Sequence, residues 1–427
     1  MTPQPRSAVV PPTVKGLSLV SLFNDFASEM VYPLLPAFVT HGLGGGALML
    51  GALDGAADLT SALLRWVSGR LADRPGWRKP LILWGYATAV LVRPLMAMTT
   101  AAWQVVGFRV IDRVGKGLRS PARDALISEV TPPGQLGRSF GFHRAADHFG
   151  AVLGSLAGWA LLSAAVDVRT VIGWSAVPGV IVVLVLIPVL RRAGGGAPPS
   201  PPAVTAALAE PAPGTGGSDQ RRLRVSPTSS PPTTGQDSTG RWFWFPALAL
   251  VVLTIGRLPE TLILLRLQDV GVAVVTIPLA WAGLHVVRTV AAYPGGWLSD
   301  RVGPRATVAL GGILLAVVLA LLARSVSPLV AVALLLSMGM VSGLTEAAEK
   351  ATIAVLAPVK TGTGFGSYQA VAGIASLPLA LGFGGVYQQV GGPTALALSA
   401  GVIGFGVVVW WIAAGALSSL TVPDYHD

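Results

Sequence analysis

The sequence predicts an all-α integral membrane protein whose twelve helices cross the bilayer as two pseudo-symmetric six-helix bundles. Three observations carry that reading. Only 12% of the 427 residues are charged, against about 25% in an ordinary soluble domain, and mean hydropathy is +0.65. Apolar runs of roughly 20 residues recur along the chain, each long enough to cross a ~30 Å hydrocarbon layer as a helix. A charged segment between two of those runs occurs twice.

The runs fall at about 17–39, 47–67, 80–101, 103–125, 139–163, 168–190, 242–265, 273–296, 306–324, 328–350, 365–388 and 394–418. The sixth and ninth are the cleanest. The fourth and tenth carry many charges and are assigned from symmetry as much as from hydropathy. Residues 1–15 form a polar, Pro-rich tail. The run after it holds Asp25 and Glu29 and lacks a small-residue cleavage site, so it reads as a retained first helix. Residues 191–241 are rich in Pro, Gly, Ser and Thr, with no apolar periodicity. Such a segment cannot bury enough surface to offset its chain entropy, and it is expected to be a disordered tether. The expected domains are therefore the tail 1–15, a first bundle 16–190, the linker 191–241, a second bundle 242–418 and a tail 419–427.

Net charge is +10 and there is no cysteine. The cysteine count excludes disulfides and thiolate chemistry. The charges sit in alternate loops, which is membrane topology and not a nucleic-acid footprint. Basic residues crowd the loops on one side, while the other side offers only Arg169, Arg266 and Arg324. The positive side is expected to face the cytoplasm, with both termini cytoplasmic and the protein in the plasma (inner) membrane.

The repeated segment is GRLADRPGWRKP at 69–80 and GGWLSDRVGPR at 295–305. A second echo lies at nearly the same offset: GLRSPARDALISEVTP from Gly117 aligns without gaps onto GLTEAAEKATIAVLAP from Gly343. Two matches at one offset make the chain a doubled six-helix unit. Six spans return the chain to its starting side, so the repeats are parallel. Substrate is then expected at their interface near mid-membrane.

With these residues the chain resembles the major facilitator superfamily. The signature loop between spans two and three is matched by Gly69, Asp73, Arg74, Arg78 and Lys79, and again by Gly296, Asp300, Arg301 and Arg305. The span-four pattern is approximated by Arg109, Gly115 and Gly117, with Arg113 where a glycine is usual. The span-five pattern associated with antiporters survives as Gly150, Gly154, Ser155 and Gly158, with Ser155 in place of the proline and Trp159 in place of the last glycine. The resemblance implies that Asp73 meets the start of span eleven near 364–366. By pseudo-symmetry Asp300 meets the start of span five near 139–141. Arg74 and Arg78 are expected to pair with Asp124, and Arg301 and Arg305 with Glu349. An aspartate at a helix N-terminus meets free N–H groups and the positive end of the dipole, so these contacts would latch one side closed.

Ionisable residues within spans are costly and are functional candidates by default. Asp25 and Glu29 lie one turn apart in span one. Burial favours a neutral acid and a nearby cation favours the carboxylate. Asp25 or Glu29 is the expected proton-coupling site, with Arg109 or Arg113 governing how firmly it holds the proton. Span two adds Asp54 and Asp58. Asp112 and Lys116 are spaced to neutralise each other, as are Arg144 and Asp147. The expected substrate cavity is Asn24, Tyr32, Arg93, Asp112, Arg113, Glu260, Arg288, Tyr368 and Gln369. His143 and His148 point to different faces, so no metal site is read, and no cofactor. The glycines at 150, 154 and 158 form a small-residue stripe for close helix packing or sliding.

The function expected is secondary active transport by alternating access, with proton-coupled export of a small polar or amphipathic molecule. The alternative is uptake of a small organic anion, by proton symport or facilitated transport. No HExxH, GxSxG or P-loop motif is present, and no enzyme is expected. The partners are the bilayer, the small-molecule substrate and protons, and the expected state is a monomer.

Overall fold

In hydrocarbon every backbone N–H and C=O must be bonded within its own segment, so apolar runs of this length fold as helices. The computed structural model describes residues 10–74, 76–132, 135–193, 238–356 and 361–418. Its first half holds α1 (Pro12–Val31), α2 (Ala47–Ala72), α3 (Arg78–Leu95), α4 (Ala102–Val130), α5 (Leu136–Ser163), α6 (Val168–Trp174) and α7 (Ala176–Arg192). The second half holds α8 (Ser238–Ile255), α9 (Glu260–Asp269), α10 (Ile277–Val302), α11 (Pro304–Arg324), α12 (Pro328–Leu356), α13 (Thr361–Val390) and α14 (Gly392–Ser418). Beyond α1 the chain continues as short helical turns to Gly42. The pairs α6–α7 and α8–α9 each make one path, so among the described residues each half has six. Ten of these twelve segments are long and apolar enough to cross a membrane. The other two are α1 and α4, which carry Asp25, Glu29, Arg109, Asp112, Arg113 and Lys116. Most of the tether, residues 194–237, lies outside the described residues.

The outer surface is apolar, and charged side chains are buried in the interior alongside an apolar core. Trp84 and Leu184 are 67% and 66% exposed, while Arg93 and Asp112 are 3% and 1% exposed. That arrangement suits a lipid solvent. The face carrying the α2–α3 and α10–α11 loops is called the basic face below. Near it, Leu17, Ile82, Tyr86, Ile127 and Leu186 form a core within the first half. At the opposite face one apolar core runs across both halves, joining Leu35, Phe38, Leu50 and Leu53 to Leu262, Leu264 and Leu267.

Both charged loops turn on a glycine. Gly76 has φ +82° and Gly303 φ +86°, backbone that a side chain adopts only with strain. These two glycines occupy corresponding places in the repeat. Gly69 and Gly296 do not crowd anything: a Cβ at either would meet open space. The small-residue stripe on α5 is close packing within one half. A Cβ at Gly150 or Gly154 would stand 2.2 Å from the carbonyl oxygen of Leu22 or Phe26 on α1. A second seam of small residues, not anticipated from sequence, joins the halves. Gly51 and Gly55 on α2 abut Ala380 and Leu377, and Gly384 on α13 abuts Ala47.

The seventh span differs from expectation. It is expected unbroken over 242–265, but α8 stops at Ile255 and α9 starts at Glu260. Pro259 has no N–H to continue the ladder, and the break leaves the first N–H groups of α9 unbonded within the helix.

Of the three cations expected on the far side, two cap helices. Arg169 donates to the carbonyls of Ala97 and Thr99 at 2.6 and 2.8 Å. Arg266 donates to those of Ala323 and Ser325 at 3.2 and 2.8 Å. Cations suit helix C-termini because the last carbonyls lack partners there.

Candidate functional site

A cavity of about 620 Å³ lies between the halves. From the first half, α1 contributes Glu29, the turn after it Tyr32, α2 Asp54, Asp58 and Arg65, and α4 Arg109, Arg113 and Lys116. The three α4 residues recur at helical spacing and share one face. From the second half, the α8–α9 break contributes Arg257 and Glu260, α10 Trp281, His285 and Arg288, and α13 Tyr368 and Gln369.

Glu29 reaches across the interface. Its Oε2 accepts from the Trp281 indole N–H at 2.9 Å and lies 3.8 Å from His285 Nε2. Arg109 lies over the Tyr32 ring, 4.6 Å from its centroid. Asp25 is not part of the lining, and its carboxylate accepts from Asn24 Nδ2 at 2.9 Å. The two acids of span one thus have different neighbours.

The cavity brings together Tyr32, Arg113, Glu260, Arg288, Tyr368 and Gln369 from the expected set. Asn24, Arg93 and Asp112 stand behind the wall instead. Arg93 Nε donates to Asp112 at 2.9 Å, and its Nη atoms donate to the Asn24 carbonyl and side-chain oxygens at 2.9 and 3.0 Å. Asp112 also lies 3.8 Å from Arg109 and 3.6 Å from Arg113. The expected Asp112–Lys116 pair does not form, because Arg93 from α3 reaches the carboxylate first. Lys116 faces the cavity.

The ion pairs of the basic face also differ from expectation. Arg78 pairs with Glu129 at 2.5 Å and caps α2 at the Ala72 carbonyl, 2.8 Å away. Asp124 lies more than a turn deeper on α4 and pairs with its neighbour Arg123 at 2.9 Å. Asp73 and Arg74 are exposed. Arg301 lies over Trp297 at 4.1 Å. Arg305 donates to the Trp411 carbonyl at 2.7 Å, and Glu349 is held by Arg257. Arg144 bonds Glu346 across the halves and not Asp147, and Glu346 also lies 3.5 Å from Arg288. The side chains of Asp300 and of 361–367, where two of the latch contacts were expected, lie outside the described residues.

Sequence reasoning counted Asp54 and His285 among the intramembrane ionisable residues but assigned neither of them, nor Trp281, to the cavity. Asp54 Oδ2 accepts from the Thr261 hydroxyl at 2.7 Å and the Thr261 N–H at 3.1 Å, so an α2 aspartate caps α9 of the other half. The signal available was Pro259 inside an apolar run, which marks a helix boundary. Among the described residues no group of His, Asp and Glu is placed to hold a metal.

Two long-helix bundles enclosing a charged cavity define a membrane transport fold. The family profile described as Major Facilitator Superfamily matches residues 17–284, and the chain belongs to this superfamily of membrane transporters. An uncharacterized MFS-type transporter of Methanocaldococcus jannaschii is 38% identical over 139 residues, 33% of this chain and 34% of that protein. Multidrug resistance protein MdtH of Photorhabdus laumondii is 32% identical over 133 residues, 31% of this chain and 33% of that protein. The chain thus matches about a third of the length of these curated relatives. A POT family transporter in complex with a thioalcohol-conjugated peptide superposes with TM-score 0.74 at 11% identity, covering 96% of both chains. The nucleoside transporter NupG does so with TM-score 0.68 at 14% identity, covering 97% of this chain and 100% of its own. At these identities the likeness shows the fold alone.

Proposed function

We propose that the protein is a proton-coupled secondary transporter exporting a small polar or amphipathic molecule by alternating access. The observation that carries this is the position of Glu29, at the cavity wall and bonded to Trp281 of the other half. A proton taken up there removes a charge from the cavity and weakens a contact between the halves in one step. Asp25 has neither relation, so Glu29 is favoured as the coupling carboxylate, with Arg109 on the same wall.

Contacts between the halves exist at both ends. Asp54–Thr261 and Leu48–Gln388 join them toward the opposite face. Arg65–Gln369 and Arg144–Glu346 join them toward the basic face. Alternation requires one set to break while the other holds. Relatives named multidrug resistance protein support the outward direction. The positive-inside rule puts the basic face in the cytoplasm of a plasma (inner) membrane protein, here taken as a monomer. Uptake of an organic anion is the second reading, favoured by Arg65, Arg113 and Lys116 on the cavity wall.

The test is reconstitution into liposomes holding an acid interior and an internal pH dye, with single compounds added outside. Export by antiport is supported if one compound class triggers proton release that Glu29→Gln abolishes and Asp25→Asn retains. Labelled anions equilibrating without proton movement would replace it with the uptake reading.

A further inference from the structure

We infer that the cavity takes a substrate carrying both an anionic and a cationic group, held at opposite ends of the space. This inference rests on the transporter reading above. Most charged lining groups already have protein partners. Arg257 is held by Glu349 and Arg288 lies near Glu346. Asp54 is bonded to Thr261 and Glu29 to Trp281.

Four lining groups are left open. Lys116, Asp58 and Glu260 form no ion pair among the described residues. Arg65 donates only to Gln369, at 3.3 Å, and its Nε is buried without a partner. Lys116 shares its part of the cavity wall with the cations Arg113 and Arg65, while Asp25, outside the lining, acts on it more weakly than they do. Glu260 shares its end of the cavity with Arg288 and His285 as well as with the acids Asp54 and Glu29, and Arg288 already lies 3.5 Å from Glu346. Three turns of α2, ~16 Å at 1.5 Å per residue, separate Arg65 from Asp54. Asp58 lies between, within the influence of Asp54 on one side and of Arg113 and Lys116 on the other.

Open charges facing a space inside the membrane are costly unless something answers them. An anion at Arg65 and Lys116 relieves their mutual repulsion. A cation at Glu260 answers the acidic end. A monoanion leaves Glu260 unmatched, a monocation leaves Lys116 unmatched, and a neutral apolar compound strips water from both. Tyr32, Trp281 and Tyr368 line the space as well and offer apolar surface to the carbon frame.

The experiment measures binding to the purified full chain in lipid nanodiscs by titration calorimetry. The probes are ω-amino acids from 6-aminohexanoate to 11-aminoundecanoate, each with its matched carboxylic acid and alkylamine. The ω-amino acid of best length is expected to bind at least about tenfold tighter than either analogue, one decade being 1.4 kcal/mol. Lys116→Gln should erase its advantage over the amine and keep that over the acid. Glu260→Gln should do the reverse, so each variant is the other's folding control. Acid or amine binding as tightly as the ω-amino acid at every length would overturn the proposal. So would no binding in the series, or an advantage untouched by either variant. Binding with this pattern but no flux in liposomes would sink the transporter reading instead. Proton-coupled flux of another compound, with no ω-amino acid bound, would sink the charge-pair reading alone.

Discussion

Asp54 on α2 and Thr261 on α9 join the two halves of the protein through one carboxylate oxygen. That oxygen accepts the Thr261 hydroxyl at 2.7 Å and its N–H at 3.1 Å, and Tyr32 donates to the same carboxylate at 3.2 Å. Asp54 thereby supplies the N-terminal cap that α9 lacks in its own half, and its charge meets the positive end of the helix. An aspartate of one half capping a helix of the other was expected at the basic face. This one stands toward the opposite end, at a break in span seven.

Asp54→Asn keeps the shape and removes the charge. Hydrogen bonds to a charged acceptor contribute about 1.5–3 kcal/mol, so roughly a tenfold to hundredfold shift toward separation of the halves at that end is expected. The chain has no native cysteine, so spin labels at Thr40→Cys and Val390→Cys report this cleanly by pulsed EPR. An unchanged distance distribution would show that the contact does not hold the halves together.

Asp112 is the buried anion of a cluster containing Arg93, Arg109 and Arg113. Asp112→Asn leaves those cations uncompensated and should cost about 3–5 kcal/mol. Thermal unfolding in detergent would show a large fall in Tm. The double variant Asp112→Leu with Arg93→Met should recover only part of it, since it removes the cation bonded most closely to the carboxylate while Arg109 and Arg113 still lack their anion. Equal Tm values for Asp112→Asn and the unaltered chain would contradict the account.

Gly154 leaves no room for a side chain beside Phe26. Gly154→Val should force α1 and α5 apart, with an overpacking cost of about 1–3 kcal/mol or more. The expected readout is a lowered Tm together with weaker transport, because Glu29 rides on α1. A Tm within error of the unaltered chain would mean that the helices separate freely.

Gly76 and Gly69 separate backbone strain from crowding. Gly76→Ala must place a side chain at φ +82° and should cost roughly 1 kcal/mol. Gly69→Ala lies in helix α2 with open space around it and should leave stability unchanged or slightly raised. Reversal of that order, measured by Tm, would assign the repeated loop a different need for glycine.

The helical architecture was legible because its causes are local. A run such as 306–324 has one way to satisfy its backbone in lipid, and the corresponding segment α11 is unbroken over Pro304–Arg324. The duplication was legible because copied residues keep their spacing. The cavity was partly legible: Arg113, Glu260, Arg288, Tyr368 and Gln369 line it, as charged or polar residues inside apolar spans are expected to do.

What the sequence by itself determined is the membrane class, the doubled plan and the list of costly intramembrane charges, all of which depend on neighbours along the chain. Partner choice among those charges was decided only in the tertiary structure. Asp112 has Lys116 one turn away on its own helix and is bonded to Arg93 of α3. Glu29 lies four residues from Asp25 and reaches Trp281 of α10. Asp54 finds Thr261 only because Pro259 interrupts a span far along the chain. Electrostatic and hydrogen-bond energies depend on distance and angle in space, and packing between helices sets those quantities.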